Sequence, residues 1–175
     1  YDLSLGIVSL ILSAGVSYNL AKHYQLEGEE IDPLSSAIIS MVAFLIVSTK
    51  ISNGNLDLLY LGSKGFYTAI INGLFTVELS KLLISNNIRI KMPEGVPYAV
   101  SASFTAMIPM IFNIIVLYGI NLIMNFYFQE NIAALLYNLI NPFLYYADSA
   151  IFVAIIMLIS QILWTMGLHG GAVTG

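Results

Sequence analysis

Apolar positions along this 175-residue chain gather into long blocks separated by short polar stretches. Crossing a hydrocarbon core of about 30 Å takes roughly 20 helical residues, and five blocks approach that length, at 3–20, 33–49, 64–85, 98–128 and 149–166. The first runs into Lys22-His23-Tyr24-Gln25, after which Glu27, Glu29, Glu30 and Asp32 make an acidic connection, expected to be a solvated loop. Pro33 opens the second block, and "SNGN" at 52–55 closes it with turn residues. The third carries Asn72, Glu78 and Lys81, so its later turns face protein or the interface instead of lipid. The fourth carries Pro109 and Asn113; such a proline kinks a membrane helix where neighbours re-satisfy the freed carbonyl.

Two segments break the block pattern. In 86–97, Ile88, Arg89, Ile90 and Lys91 alternate in a way that predicts a short strand-like piece, and Pro93 and Pro97 exclude a regular helix. Between 130 and 143, Ile132, Leu135, Leu136, Leu139, Ile140 and Phe143 recur at helical spacing, while Asn131, Asn138 and Asn141 lie off that stripe. This predicts an amphipathic helix, lying along the membrane or against neighbouring helices; it lacks the Lys and Arg of an anionic-lipid binder. The expected fold is therefore all-α and polytopic, with about five spans, one amphipathic helix and a short β-like loop.

Composition agrees with a bilayer as the main solvent: 58% of residues are hydrophobic, 9% are charged and mean hydropathy is +0.86, against roughly a quarter charged in soluble domains. A net charge of −4 gives no basic surface for nucleic acid. The chain has no cysteine, which excludes thiolate chemistry, and it shows no phosphate-binding or zinc-protease motif, so no cofactor or metal is expected. Counting basic residues near the block ends places Lys22, Lys81, Arg89 and Lys91 on the cytoplasmic side and Lys50 and Lys64 outside. The start at Tyr1 and the glycine-rich finish read as a piece of a longer polypeptide.

Candidate chemistry concentrates in "LWTMGLHGGAVTG", 163–175. His169 is suited to share a proton near neutral pH. The glycines permit a helix break that bares backbone groups to a polar ligand, and Trp164 offers a flat apolar face with an N–H. The same residues also fit an interface anchor, a C-cap and a boundary histidine. Glu78 and Lys81 share a helical face, as a structural pair or a proton relay. Asp148 and Ser149 begin the last block as a candidate N-cap. An ion-coupled transporter or proton channel titrating Glu78 and His169 is the alternative function class.

Two stretches resemble a known family: "IRIKMPEGVPYAVSASFTAMIP", 88–109, and "LWTMGLHG", 163–170, with "LGSKGFYTAIINGLFTVELSKLL", 61–83, fitting the preceding helix. They are similar to the membrane component, enzyme IIC, of the phosphoenolpyruvate-dependent sugar phosphotransferase system, in its lactose, cellobiose and diacetylchitobiose branch. Leu168, Tyr98 and Thr165-Met166 depart from the usual residues of that branch. The resemblance implies a multi-pass permease in a bacterial plasma membrane. It would bind a β-linked disaccharide, work with a soluble IIB phosphoryl carrier, and form a homodimer through its amino-terminal half. It divides the chain into part of that half at 1–128, a connecting helix at 129–147, and the first helix and turn of the sugar-binding half at 148–175. It also implies that His169 hydrogen-bonds a sugar hydroxyl, Trp164 lines the pocket, and Gly167 and Gly170 shape a re-entrant turn. Arg89 and Lys91 would either face the partner and its phosphoryl group or simply set topology.

Overall fold

A computed structural model describes residues 5–52, 55–93, 95–147, 149, 152–155, 157–158 and 161. Among the described residues, the regular structure is helical apart from one minimal ladder. In order come α1 (Val8–Leu26), α2 (Pro33–Ser48), a two-residue antiparallel pair β1 (Ile51–Ser52) and β2 (Asn55–Leu56), and a 3-10 turn at Ser63–Gly65. Then follow α3 (Phe66–Ser85), α4 (Tyr98–Phe128) and α5 (Ile132–Ala147). Two compact units divide between Tyr137 and Asn138.

Local chemistry sets the helix limits. Asp32 caps α2 by accepting from the Ser35 amide at 2.8 Å, and Pro33 takes the first turn, where its missing N–H costs nothing. α1 runs six residues past the predicted end at 20, because Lys22 to Gln25 are competent helix formers and the true stop is Gly28. That glycine adopts φ +95, and the amides of Gly28 and Glu29 reach back to the carbonyls of Gln25 and Tyr24 at 3.1 and 3.0 Å. Asn87 ends α3 in the same way at φ 59, its amide and that of Ile88 bonding Ile84 and Leu83 at 3.0 and 2.9 Å.

These bonds also explain why the expected strand at 88–91 does not form. The Ile88 amide closes α3, the Ile90 carbonyl accepts the Thr105 hydroxyl at 3.3 Å, and Arg89 turns to an ion pair. With the Ile88 amide and the Ile90 carbonyl already bonded elsewhere, these residues join no ladder among the described residues; the two-residue ladder pairs Ile51–Ser52 with Asn55–Leu56.

α1, α2 and α3 pack on one another, and α4 packs on α2 and α3. The seam between them is small and polar: Ser9, Ser13 and Ser17 of α1, Ser36, Ser40 and Ser48 of α2, Thr68, Asn72, Thr76 and Ser80 of α3, and Asn113 of α4 are all buried. Large apolar side chains such as Ile11, Ile38, Ile71, Ile115 and Ile123 face outward. This is the arrangement of helices that associate in lipid, where small residues let backbones approach and hydroxyl or amide groups bond across the seam. Gly73 shows the closeness of approach, since a Cβ there would lie 3.0 Å from the Ser13 carbonyl and from Val16. A smaller apolar cluster, including Phe44, Val47, Leu61 and Leu117, fills the end of the bundle near the 3-10 turn.

Among the described residues, Ser63–Ser85 and Tyr98–Phe128 are long and apolar enough to cross a membrane, while α2 and Ile132–Pro142 are apolar but shorter. The expected count of five spans is thus supported for two, and most of the block at 149–166 lies outside the described residues. At the start of α5, Asn131 just before the helix and Ala133 and Ala134 in its first turn are buried, while Leu135 and Leu136 of the predicted stripe are only half-buried. Small residues bring this helix close where the apolar stripe was expected to do so. In the second unit the Ser149 hydroxyl accepts from the Phe152 amide at 3.2 Å, so Ser149 supplies the N-cap expected in that region; Asp148 lies outside the described residues.

Candidate functional site

The α1–α2 and α3–α4 connections lie at one end of the bundle, and their charges meet there. Arg89 forms an ion pair with Glu30; its own side chain is 14% exposed and that of Glu30 is 66% exposed. Lys81 pairs with Glu29 at 3.4 Å and sits 3.7 Å from the centre of the Tyr24 ring, whose hydroxyl donates to Glu78. Glu78 and Lys81 therefore share Tyr24 as a common contact, while Lys81 takes Glu29 as its ion-pair partner, and they do not form the direct pair expected from their spacing. The acidic run, too, is more than a solvated loop: Glu29 and Glu30 hold the two cations and Asp32 caps α2. Lys91, two residues beyond Arg89, stays exposed.

Beside these pairs lies a cavity of about 400 Å³, walled by α2, the end of α3 and the first turns of α4. Its rim is closed by a short polar chain in which Gln25 Nε2 donates to Tyr98 Oη at 2.9 Å and Tyr98 donates to Asp32 Oδ1 at 3.2 Å. In the middle of the bundle Asn72 Nδ2 donates to Ser13 Oγ and to the Ser40 carbonyl, both at 2.9 Å, and the Ser13 and Ser40 hydroxyls lie 2.7 Å apart. Asn113 Nδ2 donates to Ser80 Oγ at 3.0 Å and to the Pro109 carbonyl at 2.9 Å. The expectation that Asn72 faces protein is met, and Asn113 secures the helix beside the proline. At the opposite end Asn121 donates to the Ile46 carbonyl at 3.0 Å, Asn131 donates to that of Ser48 at 3.2 Å, and Lys50 reaches the Gln129 carbonyl at 3.0 Å.

Of the predicted site residues, Arg89 and Lys91 fall in this described end, whereas Trp164, Gly167, His169 and Gly170 lie outside the described residues. The pairing of the acidic and basic connections had a signal in the sequence. In a bundle of alternating helices the first and third connections emerge at the same end, so opposite charges in them must meet.

The small-residue seam and outward apolar faces belong to a membrane bundle, and the family model for the phosphotransferase system EIIC proteins matches residues 1–175. The chain belongs to the EIIC family of the phosphotransferase system. It is 34% identical to the cellobiose-specific EIIC component of Geobacillus stearothermophilus, over 97% of this chain and 40% of that protein. It is 32% identical to the oligo-beta-mannoside-specific EIIC component of Bacillus subtilis, over 95% of this chain and 39% of that protein. The crystal structure of the transporter ChbC, the IIC component of the N,N'-diacetylchitobiose-specific phosphotransferase system, superposes with a TM-score of 0.81 at 28% identity, covering 99% of this chain and 42% of that one. The chain thus spans about two fifths of the length of these EIIC relatives. EIIC permeases are integral membrane proteins, and the two long apolar helices here agree with that.

Proposed function

We propose that this chain is part of a bacterial plasma-membrane permease that binds a β-linked disaccharide of the cellobiose or diacetylchitobiose type and passes it inward as it is phosphorylated. The observation that carries this reading is the family match over the whole of 1–175, with cellobiose, oligo-beta-mannoside and N,N'-diacetylchitobiose components among its relatives. The phosphoryl group would come from a soluble IIB protein; some relatives, such as the lactose-specific EIICB component of Streptococcus mutans, carry the IIB designation in the same name. Moving a phosphoryl group onto a sugar hydroxyl needs chiefly positioning and charge stabilisation. The membrane component supplies the positioning, and the phosphorylated sugar is trapped as an anion.

In this reading His169 hydrogen-bonds a sugar hydroxyl, Trp164 lines the pocket, and Gly167 and Gly170 turn the chain back toward it. Residues 1–128 belong to the amino-terminal half, 129–147 connect, and 148–175 begin the sugar-binding half. The 86–97 connection faces the cytoplasm. Because Arg89 is committed to Glu30, Lys91 is the basic residue of this connection left exposed to a IIB partner. A homodimer built on the amino-terminal half completes the proposal.

The test is uptake of labelled β-linked disaccharides by vesicles containing the full-length permease, loaded with phosphorylated IIB. Accumulation of sugar phosphate that depends on IIB is expected; equal entry of unmodified sugar with and without IIB, or no entry of any such disaccharide, would refute it.

A further inference from the structure

α4 is held very differently along its length. From Pro109 onward it is anchored: Pro109, Asn113 and Leu117 are its buried residues, Asn113 bonds to α3, Leu117 joins the apolar cluster, and Asn121 bonds to α2. Before Pro109 no residue of α4 is buried. Its inner face there, Ser101, Ala102, Thr105 and Ala106, carries only small side chains and borders the cavity of about 400 Å³. A second, apolar cavity of about 210 Å³ lies against Ala106, Met107 and Met110 on the other side of the α2 contact. The first three turns of α4 therefore have little dispersion contact with α2.

Two polar contacts hold this segment instead. Tyr98 takes part in hydrogen bonds with Asp32 and Gln25, and the Thr105 hydroxyl donates to the Ile90 carbonyl. Pro109 has no N–H, so the Thr105 carbonyl lacks its helical donor at the point where anchored and loose parts meet. Of the charged groups at the cavity, Arg89 is paired with Glu30 and Glu29 with Lys81, while Arg89 Nε is buried without a partner.

We propose that residues 98–108 form a hinged arm that swings on Pro109, with Asn113 as its fixed point and Tyr98 as the catch that holds it shut over the cavity. Releasing the catch moves the arm outward from α2 and opens the cavity. The inference rests on packing and does not depend on which sugar the permease carries.

The test uses the full-length protein in lipid nanodiscs, free of other cysteines, with nitroxides on Leu34→Cys and Val100→Cys, both exposed positions of α2 and the arm. Pulsed electron-resonance distances should show two populations, and Tyr98→Phe, which removes only the hydroxyl, should raise the longer one at least threefold. Pro109→Ala should leave a single population. A reporter pair at Leu45→Cys and Leu122→Cys, beyond the hinge, should keep one narrow distance in every variant. A single narrow distance at 34 and 100 that neither substitution moves would overturn the proposal. So would broadening of the 45 and 122 pair in step with it, since the whole helix would then be moving.

Discussion

The side-chain amide of Asn72 on α3 donates to the backbone carbonyl of Ser40 on α2 at 2.9 Å, and the same nitrogen reaches the Ser13 hydroxyl of α1 at 2.9 Å. One buried residue thus ties three helices at one level. Such bonds in membranes are each worth roughly 0.6–2 kcal/mol, because the separated helices also find partners for their polar groups. Asn72→Ala should therefore lower the thermal midpoint of the detergent-solubilised protein by an amount matching about 1–2 kcal/mol. Asn72→Leu should be worse, since the larger apolar side chain must also fit a seam of hydroxyls. An unchanged midpoint for both would show that the network contributes nothing to stability.

Gly73 and Gly15 provide a matched pair. A methyl at Gly73 meets the Ser13 carbonyl and Val16 at 3.0 Å, whereas nothing lies within 4 Å of one at Gly15. Gly73→Ala should force α1 and α3 apart and destabilise by about 1–3 kcal/mol. Gly15→Ala should be neutral or stabilising by up to ~1 kcal/mol, through restriction of the unfolded chain. Thermal or denaturant unfolding of the two variants side by side checks this, and equal effects would contradict the close α1–α3 contact.

Arg89 and Lys91 have separable roles. Arg89→Ala removes a mostly covered side chain and its ion pair, but it leaves Glu30 in water and strands no buried charge. The expected loss is about 1 kcal/mol in thermal unfolding. Lys91→Glu should change stability by less than about 0.5 kcal/mol, as for an exposed residue without packing. It should instead weaken IIB-dependent phosphorylation, most visibly at low salt, where steering by exposed charge is strongest. A Lys91→Glu protein with unaltered IIB dependence would remove this residue from the partner surface.

The helices with strong end signals were legible from the sequence. Pro33 after Asp32 fixed the start of α2, and the long apolar run from Tyr98 to Phe128 matched α4 at both ends. Polar residues at 22–25 suggest an earlier end to α1 than the actual stop, which is the backbone conformation of Gly28. The expected strand at 88–91 fails for a similar reason. Alternation describes side chains, but a ladder is made by backbone groups, and here the Ile88 amide is bonded into the end of α3 and the Ile90 carbonyl accepts from Thr105. The pairing of Glu29 and Glu30 with Lys81 and Arg89 is a tertiary fact that local pattern does not contain, although helix alternation implies it. Asn72 and Asn113 were recognisable as polar groups needing partners; which carbonyl and which serine each would find depended on helix register. The proposed sugar-site residues at 164–170 rest on motif resemblance alone.

A disaccharide site to which His169 contributes, as proposed above, is open to direct measurement. The most direct measurement is calorimetric binding of cellobiose and diacetylchitobiose to the full-length permease in detergent, compared with its His169→Ala variant. At least one of these sugars should bind, and the variant should bind it at least tenfold more weakly, with the protein still folded by thermal midpoint. Full-strength binding to the His169→Ala protein would contradict the assignment of His169, and failure of the unaltered permease to bind either sugar would contradict the substrate class.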